Sequence, residues 1–300
     1  MVTAEQAYAP PAVPGRWRQA VKAVARHRGA VVGGCVVALM ILACAFAGLV
    51  APYSATAHDY TAVLSGPSAA HPLGTDQLGR DILSRLLYGG RTSLGVGFLA
   101  TAIGAAVGTV LGLVTGYLRG IVDGLVMRVL DVLLAFPGIL LAIGIIAMVG
   151  PGEANVVLAV SVFGVPIFAR VVRGEVLRLR EQPFVEAARA AGTRSVHIMT
   201  RHLMPNVLPL IIVYATLRVA TAILIASSLG FLGLGAQPPS PEWGTMLADG
   251  RELLTVAPLV ALFPGLAILV TVLALNLFGD GLRDALDPRM RGETEGRVGG

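Results

Sequence analysis

Charge is what this 300-residue chain lacks: Asp, Glu, Lys and Arg make up 14% of it, against 55% hydrophobic residues. A water-soluble domain of that length needs roughly a quarter of its residues charged, so a soluble globular fold is excluded. Lysine is nearly missing, and the one present, Lys22, is followed by Ala23. A Walker A loop needs Gly-x4-Gly-Lys-Ser/Thr, so the chain has no phosphate-cradling loop of its own. Cysteine is limited to Cys35 and Cys44, nine residues apart. That spacing puts them near opposite helix faces, which rules out a disulfide between them and leaves two small buried thiols. Ten-residue alternating segments are absent too, which excludes a transmembrane barrel. No Ser-His-Asp grouping or carboxylate pair is visible. His197 and His202 are five apart, off a common helical face and without cysteine nearby, which argues against a metal centre.

What the chain has in quantity is apolar blocks. Six stand out, Ala30–Val50, Ser93–Leu118, Val129–Val149, Asn155–Val172, Val207–Leu234 and Ala257–Phe278. Each approaches the ~20 residues that cross a hydrocarbon core of ~30 Å. Inside lipid the backbone must satisfy its own hydrogen bonds, so the blocks predict helices and an all-α integral membrane protein with six transmembrane helices. The first block contains Ala45-Phe46-Ala47, a small-x-small site, but its run is 21 residues after a long leader. A signal-peptide core is about 7–15 residues, so this block is a true first span. Eighteen of the basic residues fall on one side of the resulting topology and four on the other, with Arg218 inside a span. Positive residues stay inside, which places both termini in the cytoplasm. The basic balance therefore follows the bilayer and not a nucleic-acid stripe.

The chain divides into a basic N-terminal arm (1–29), a first transmembrane helix (30–50), an extracytoplasmic segment (51–92), a five-helix core (93–280) and a cytoplasmic tail (281–300). Residues 1–15 are Ala- and Pro-rich and read as disordered. In the external segment, the stretch from His71 to Gly90 predicts a short amphipathic helix, N-capped by Thr75 or Asp76, with an Asp81–Arg85 pair and a stop at Gly89 or Gly90. Its apolar face is Leu78, Ile82, Leu83 and Leu86. Gly104, Gly108, Gly112 and Gly116 recur every fourth residue, a ladder that lets a second helix approach closely. Pro137, Pro166 and Pro264 predict kinks within spans three, four and six. The Pro-dense loop Ala236–Gly244 predicts an extended connection, with Trp243 as an interfacial anchor. Asp131 reads as a helix-end or packing residue.

The connection 173–206 carries the strongest functional signal. Pro183 starts a short helix, Glu186 in its first turn suits the helix dipole, and Ala187, Ala188, Ala190 and Ala191 make a thin rod that Gly192 ends. A second amphipathic stretch with Val196, Ile198 and Met199 follows, His202 shapes its end, and Pro205 leads into span five. A narrow helix with small side chains suits the groove of a soluble partner.

Glu186-Ala187-Ala188, Gly192 and Pro205 together resemble the EAA coupling loop of ABC importer permeases. The Leu73-Gly74-Thr75-Asp76 and Gly79-Arg80-Asp81 run is similar to permeases of dipeptide/oligopeptide importers, the C-type partner of the pair. So is Leu229–Gly235 followed by Gln237-Pro238-Pro239 and Pro241-Glu242-Trp243-Gly244. The resemblance covers roughly residues 20–290. It implies a type I ABC importer permease fold in the bacterial plasma membrane and a transport subunit that is not itself an enzyme. It also implies a second permease subunit, two cytoplasmic ATPases that use ATP and Mg, and an extracytoplasmic solute-binding protein. No cofactor is implied for this chain. Short peptides are the implied cargo, with nickel, haem or another small solute as alternatives. An ion-coupled secondary transporter is disfavoured because the spans are nearly free of acids. The chain departs from the family pattern at Ala226, where an acid is common, and at Gly230, where serine is. Arg218, in the middle of span five, either lines the translocation path and attracts a carboxylate or pairs with an acid on the partner permease.

Overall fold

The computed structural model describes residues 24–25 and 27–286. Arg16, Arg18, Lys22 and Arg26 of the expected arm, and Arg289, Arg291 and Arg297 of the tail, lie outside the described residues.

The first span is α1 (Arg28–Ala45), continued after a turn at Phe46 by α2 (Ala47–Val50). It starts where His27 Nδ1 accepts the Ala30 N–H at 3.2 Å. Its last carbonyls are taken by the Arg91 guanidinium, which reaches Cys44 O at 2.6 Å and Ala45 O at 2.7 Å while stacking on Tyr88. A basic group on orphan carbonyls is a favourable helix end.

The expected external helix is not a separate element. Asp81, not Thr75 or Asp76, is the N-cap, its Oδ2 accepting from Ser84 N and Ser84 Oγ at 2.7 Å. From there α3 (Ile82–Leu118) runs 37 residues without a break. Gly89 and Gly90 do not stop it, because their missing side chains make room for the Glu242 backbone and for the Cys44 thiol and Trp243 ring. Of the apolar face expected there, Ile82 is buried and Leu78 exposed.

The third block is no single helix. It divides into α4 (Gly120–Ala135) and α5 (Gly138–Val149), set at 95°. Pro137 explains the division: it drives Phe136 into extended conformation (φ −84°, ψ 137°) and denies the helix its next donor. Pro166 and Pro264, with Pro209, stay inside continuous helices. α6 (Glu153–Leu179) follows, then α7 (Pro183–Ala190), α8 (Ser195–His197), a π-turn (Ile198–Leu203), α9 (Met204–Phe231), α10 (Trp243–Arg251) and α11 (Leu259–Leu286). Among the described residues five helices are long and apolar enough to cross a membrane, or six where the bent α4–α5 pair counts as one span.

The tightest contact is α3 on α6, and the glycine ladder lies in it. A Cβ on Gly108 would fall 2.6 Å from Phe168 Cβ and Val165 O, and one on Gly112 2.7 Å from Ala169 O and Val172 Cβ. Gly116 faces Val176 in the same way, and Gly104 faces Ser161 O and Gly164. Around this axis the core forms three clusters. One includes Phe168, Val176 and Val207; a second includes Ile146 and Leu229; the third includes Ile223, Trp243 and Leu275.

Candidate functional site

Pro183 at the first helical positions and Glu186 in the first turn open α7. Its end is a Schellman motif: Thr193 N donates to Ala188 O at 3.0 Å and Gly192 N to Arg189 O at 2.9 Å. Gly192 makes this possible at φ +74°, a conformation that costs a β-branched residue dearly. Glu186, Ala187, Ala190 and Ala191 are exposed, whereas Val185 is wholly buried with Val176, Leu179, Ile198, Leu203 and Val207. One valine thus pins the rod to the bundle and leaves its alanine face outward.

Tyr117, near the end of α3, is the second anchor. Its carbonyl accepts from Arg180 Nη1 at 3.0 Å, and the Arg189 guanidinium lies 5.1 Å over its ring. Arg173 holds Asp123 in a fork, Nε to Oδ1 at 2.6 Å and Nη2 to Oδ2 at 2.7 Å. Arg170 meets Asp131 at 2.5 Å, so Asp131 is an ion-pair residue joining α4 to α6.

Beyond Gly192 the chain enters a π-turn, and the apolar spacing shows why. Ile198 and Leu203 are five apart and both wholly buried, while Leu203, Val207 and Ile211 are four apart. Only a π-turn keeps the five-residue step on one face; its bond runs from Met204 N to Met199 O. The same geometry corrects the reading of His197 and His202. They share a face, with ring centroids 6.0 Å apart and edge to face. His202 Nδ1 is buried without a partner, and Pro205 is exposed in the first turn of α9. Among the described residues no group of three metal-ligating side chains forms.

The opposite end is organised by Glu242. Its carboxylate N-caps α10, accepting from Gly244 N at 2.8 Å and Thr245 N at 3.0 Å, and also from Ser93 Oγ at 3.0 Å. The Glu242 carboxylate fills the space that a side chain at Gly230 would take. Gly244 lies on the Ser227 backbone. Trp243 is no interfacial anchor: it is 1% exposed, seated against Gly90, and its indole donates to Leu86 O at 2.9 Å. The connection expected to be extended instead turns at Pro238–Ser240 and continues as α10.

Burial pushes the Glu242 carboxyl above its ordinary value, against the opposing effect of its three donors. Burial likewise raises Asp249, against Arg85 and Arg80. A raised carboxylate binds a proton in the folded state before the unfolded one does. Stability therefore falls as pH rises from the ordinary carboxylate value through the raised one. We expect the melting midpoint to drop over that window, and Glu242→Gln to flatten the slope; an unchanged slope would remove Glu242 from it.

The connection between the first span and α3 closes with buried charges. Asp76 Oδ2 binds Arg80 Nε at 2.7 Å and Arg85 Nε at 3.4 Å, and Asp76 Oδ1 accepts from Leu78 N and Arg80 N. The expected Asp81–Arg85 pair does not form. Asp81 faces His71 Nδ1 at 3.0 Å instead, because Asp76 reaches Arg85 first and the α3 N-terminus claims Asp81.

Arg218 is partly buried on α9, its guanidinium 5.3 Å over the Phe163 ring of α6. Phe163 in turn packs where a Gly138 side chain would be, at the start of α5. Among the described residues no carboxylate pairs with Arg218. A cation–π contact returns about 0.5–2 kcal/mol, less than the ~2.5 kcal/mol or more that a mid-span arginine costs. Tyr214, Arg218, Thr221 and Ser228 fall at helical spacing on one face of α9, all at least partly exposed. That polar stripe escaped the sequence reading, although its four-, three- and seven-residue steps were there to be counted.

Residues 108–292 match the family described as the binding-protein-dependent transport system inner membrane component, and residues 15–67 match the N-terminal TM domain of oligopeptide transport permease C. The chain is 50% identical over 277 residues to the glutathione transport system permease protein GsiD of Escherichia coli O6:K15:H31 (strain 536 / UPEC), covering 92% of this chain and 91% of that one. The GsiD of Shigella boydii serotype 4 (strain Sb227) matches to the same extent. Among solved structures, one inward-facing form of the MetNI methionine ABC transporter aligns with a TM-score of 0.54 at 20% identity, over 67% of this chain and 96% of that one. A second form gives 0.52 at 21% identity, over 67% and 95%. These alignments show a shared fold.

Proposed function

Because the chain belongs to the family of binding-protein-dependent transport system inner membrane components, we propose that it forms half of the pathway for short peptides and that α7 is the helix through which ATPases move it. It is a multi-pass permease subunit of an ABC importer in the bacterial inner membrane, served by a separate ATPase and a substrate-binding protein. The relatives at 50% identity are glutathione permeases. Glutathione is a tripeptide, which favours peptide cargo over nickel or haem and makes it the first probe to try. A similar but distinct permease completes the pathway, and both ends of this chain face the cytoplasm, on the side where basic residues gather around α7.

One observation carries the coupling role: α7 presents Glu186, Ala187, Ala190 and Ala191 outward while Val185 fixes it to the core and Gly192 ends it. Ala188 packs partly inward, and His202 and Pro205 set the junction with α9. An ion-coupled mechanism finds little support, since Asp123 and Asp131 of the bent span are each engaged by an arginine of α6.

The test uses the complete transporter in proteoliposomes. In Gly192→Val the αL conformation costs ~1–3 kcal/mol and unwinds the end of α7. Glu186→Ala removes an exposed acid without touching the core. Both variants should insert normally, lose about tenfold or more of ATP-driven uptake, and show ATP hydrolysis no longer stimulated by loaded binding protein. Wild-type coupling in both would rule out α7 as the docking helix.

A further inference from the structure

Four side chains on α9 share one line: Tyr214, Arg218, Thr221 and Ser228. Their neighbours on the other faces, Val213, Val219, Ala220 and Ile223, are buried in the bundle. The polar line is therefore turned away from the core while remaining at membrane depth. Ser228 Oγ is satisfied by Leu224 O at 2.8 Å, but lipid does not accept a guanidinium at that depth, so the Arg218 part of the line faces either water or another subunit. Arg218 distinguishes the two. Phe163 covers one face of its guanidinium at 5.3 Å and fixes its direction, while the N–H edges have no described acid to meet.

We propose that this line is a wall of the translocation path and that Arg218 is a carboxylate-binding station on it. Phe163 acts as the positioning residue, and the path favours solutes that carry a free carboxylate. A peptide with a free C-terminus offers one, whereas an amidated peptide without acidic side chains or a bare metal ion offers none. The guanidinium fork matches a carboxylate in two parallel hydrogen bonds, and its five donors need no competing proton transfer. The proposal rests on the permease reading.

Thiol labelling in the assembled transporter tests it. Cys35 and Cys44 are changed to alanine and Thr221→Cys is introduced one helical turn from Arg218. Labelling rates of this chain are compared for the anionic sulfonatoethyl and the cationic trimethylammonioethyl methanethiosulfonates. One uncompensated charge in a half-dry path should favour the anionic reagent, so Arg218→Gln should lower the anionic-to-cationic ratio about tenfold or more, and Arg218→Lys should keep it high. No labelling by either reagent means that the line is packed against lipid or protein, and overturns the proposal. An unchanged ratio in Arg218→Gln means that a partner's acid already neutralises the charge, and overturns it as well. Failure of the subunits to assemble with either substitution assigns Arg218 to the subunit interface, which also overturns the proposal. ATP hydrolysis stimulated by loaded binding protein is recorded in parallel with Arg218 intact. Its absence would sink the permease reading, whereas a flat ratio with hydrolysis intact sinks only the station.

Discussion

Gly112→Val is expected to prevent the α3–α6 pair from closing, leaving a protein that inserts but neither melts cooperatively nor elutes as one species in detergent. The physical reason is the identity of the neighbours. A Cβ at position 112 would sit 2.7 Å from a backbone carbonyl, that of Ala169, and 2.7 Å from Val172 Cβ, and neither can rotate away. Even alanine there overpacks by about 1–3 kcal/mol, and valine adds two methyl groups to the same collision. Gly108 has the same kind of neighbours, Val165 O and Phe168 Cβ at 2.6 Å, so Gly108→Val should behave alike. Gly124 is the control: nothing lies within 4 Å of its Cβ position, and alanine in that open helical site should stabilise by roughly 0.5–1 kcal/mol. If Gly112→Val melts as sharply and as high as Gly124→Ala, the two helices are not in contact in the membrane.

Asp76→Ala should be the most damaging single change in the connection between the first span and α3. Asp76 is 4% exposed and answers both Arg80 and Arg85, themselves 7% and 4% exposed. Its removal leaves two buried guanidinium groups with Asp249 as the remaining acid, 3.9 Å from Arg80. Stranding one half of a buried ion pair costs about 3–5 kcal/mol. The expected readout is rapid proteolysis within residues 51–81, with the membrane helices resistant. The double variant Asp76→Ala/Arg80→Met should recover part of the loss, because it removes one stranded charge together with its partner. Equal protease resistance in Asp76→Ala and the wild type would show that the network does not hold the segment.

The apolar spans were legible because lipid exposure depends on each side chain alone, and runs of apolar residues report it directly. What depends on a partner was not legible. Gly89 and Gly90 carry a local stop signal, yet α3 continues through them because Trp243 and Glu242 arrive from a distance of some 150 residues. Trp243 likewise has the composition of an interfacial residue and the position of a core one. Asp76 and Asp81 compete for Arg85, and sequence separation alone favours the wrong one. Pro137 announced a disturbance, but a 95° turn requires α6 to receive both halves. The α7 segment fared better: Pro183, Glu186 and Gly192 are local devices, and each does locally what its chemistry dictates. The π-turn was readable in the spacing of Ile198, Leu203 and Val207, given a five-residue step where a helix takes four.

The length of α3 has a thermodynamic consequence. At ~1.5 Å per residue its 37 residues span about 55 Å, well beyond the ~30 Å of hydrocarbon. One end is Asp81, seated under His71 of the preceding connection; the other is Tyr117, held by Arg180 and Arg189 beside α7. No joint interrupts the rod between them. Under the docking role proposed for α7, a protein that binds at the Asp81 end and displaces that rod changes the affinity of an ATPase for α7. By reciprocity the ATPase changes the affinity of that protein by the same factor. Two sites at the two ends of one helix would thus share one free energy of interaction, measurable from either end.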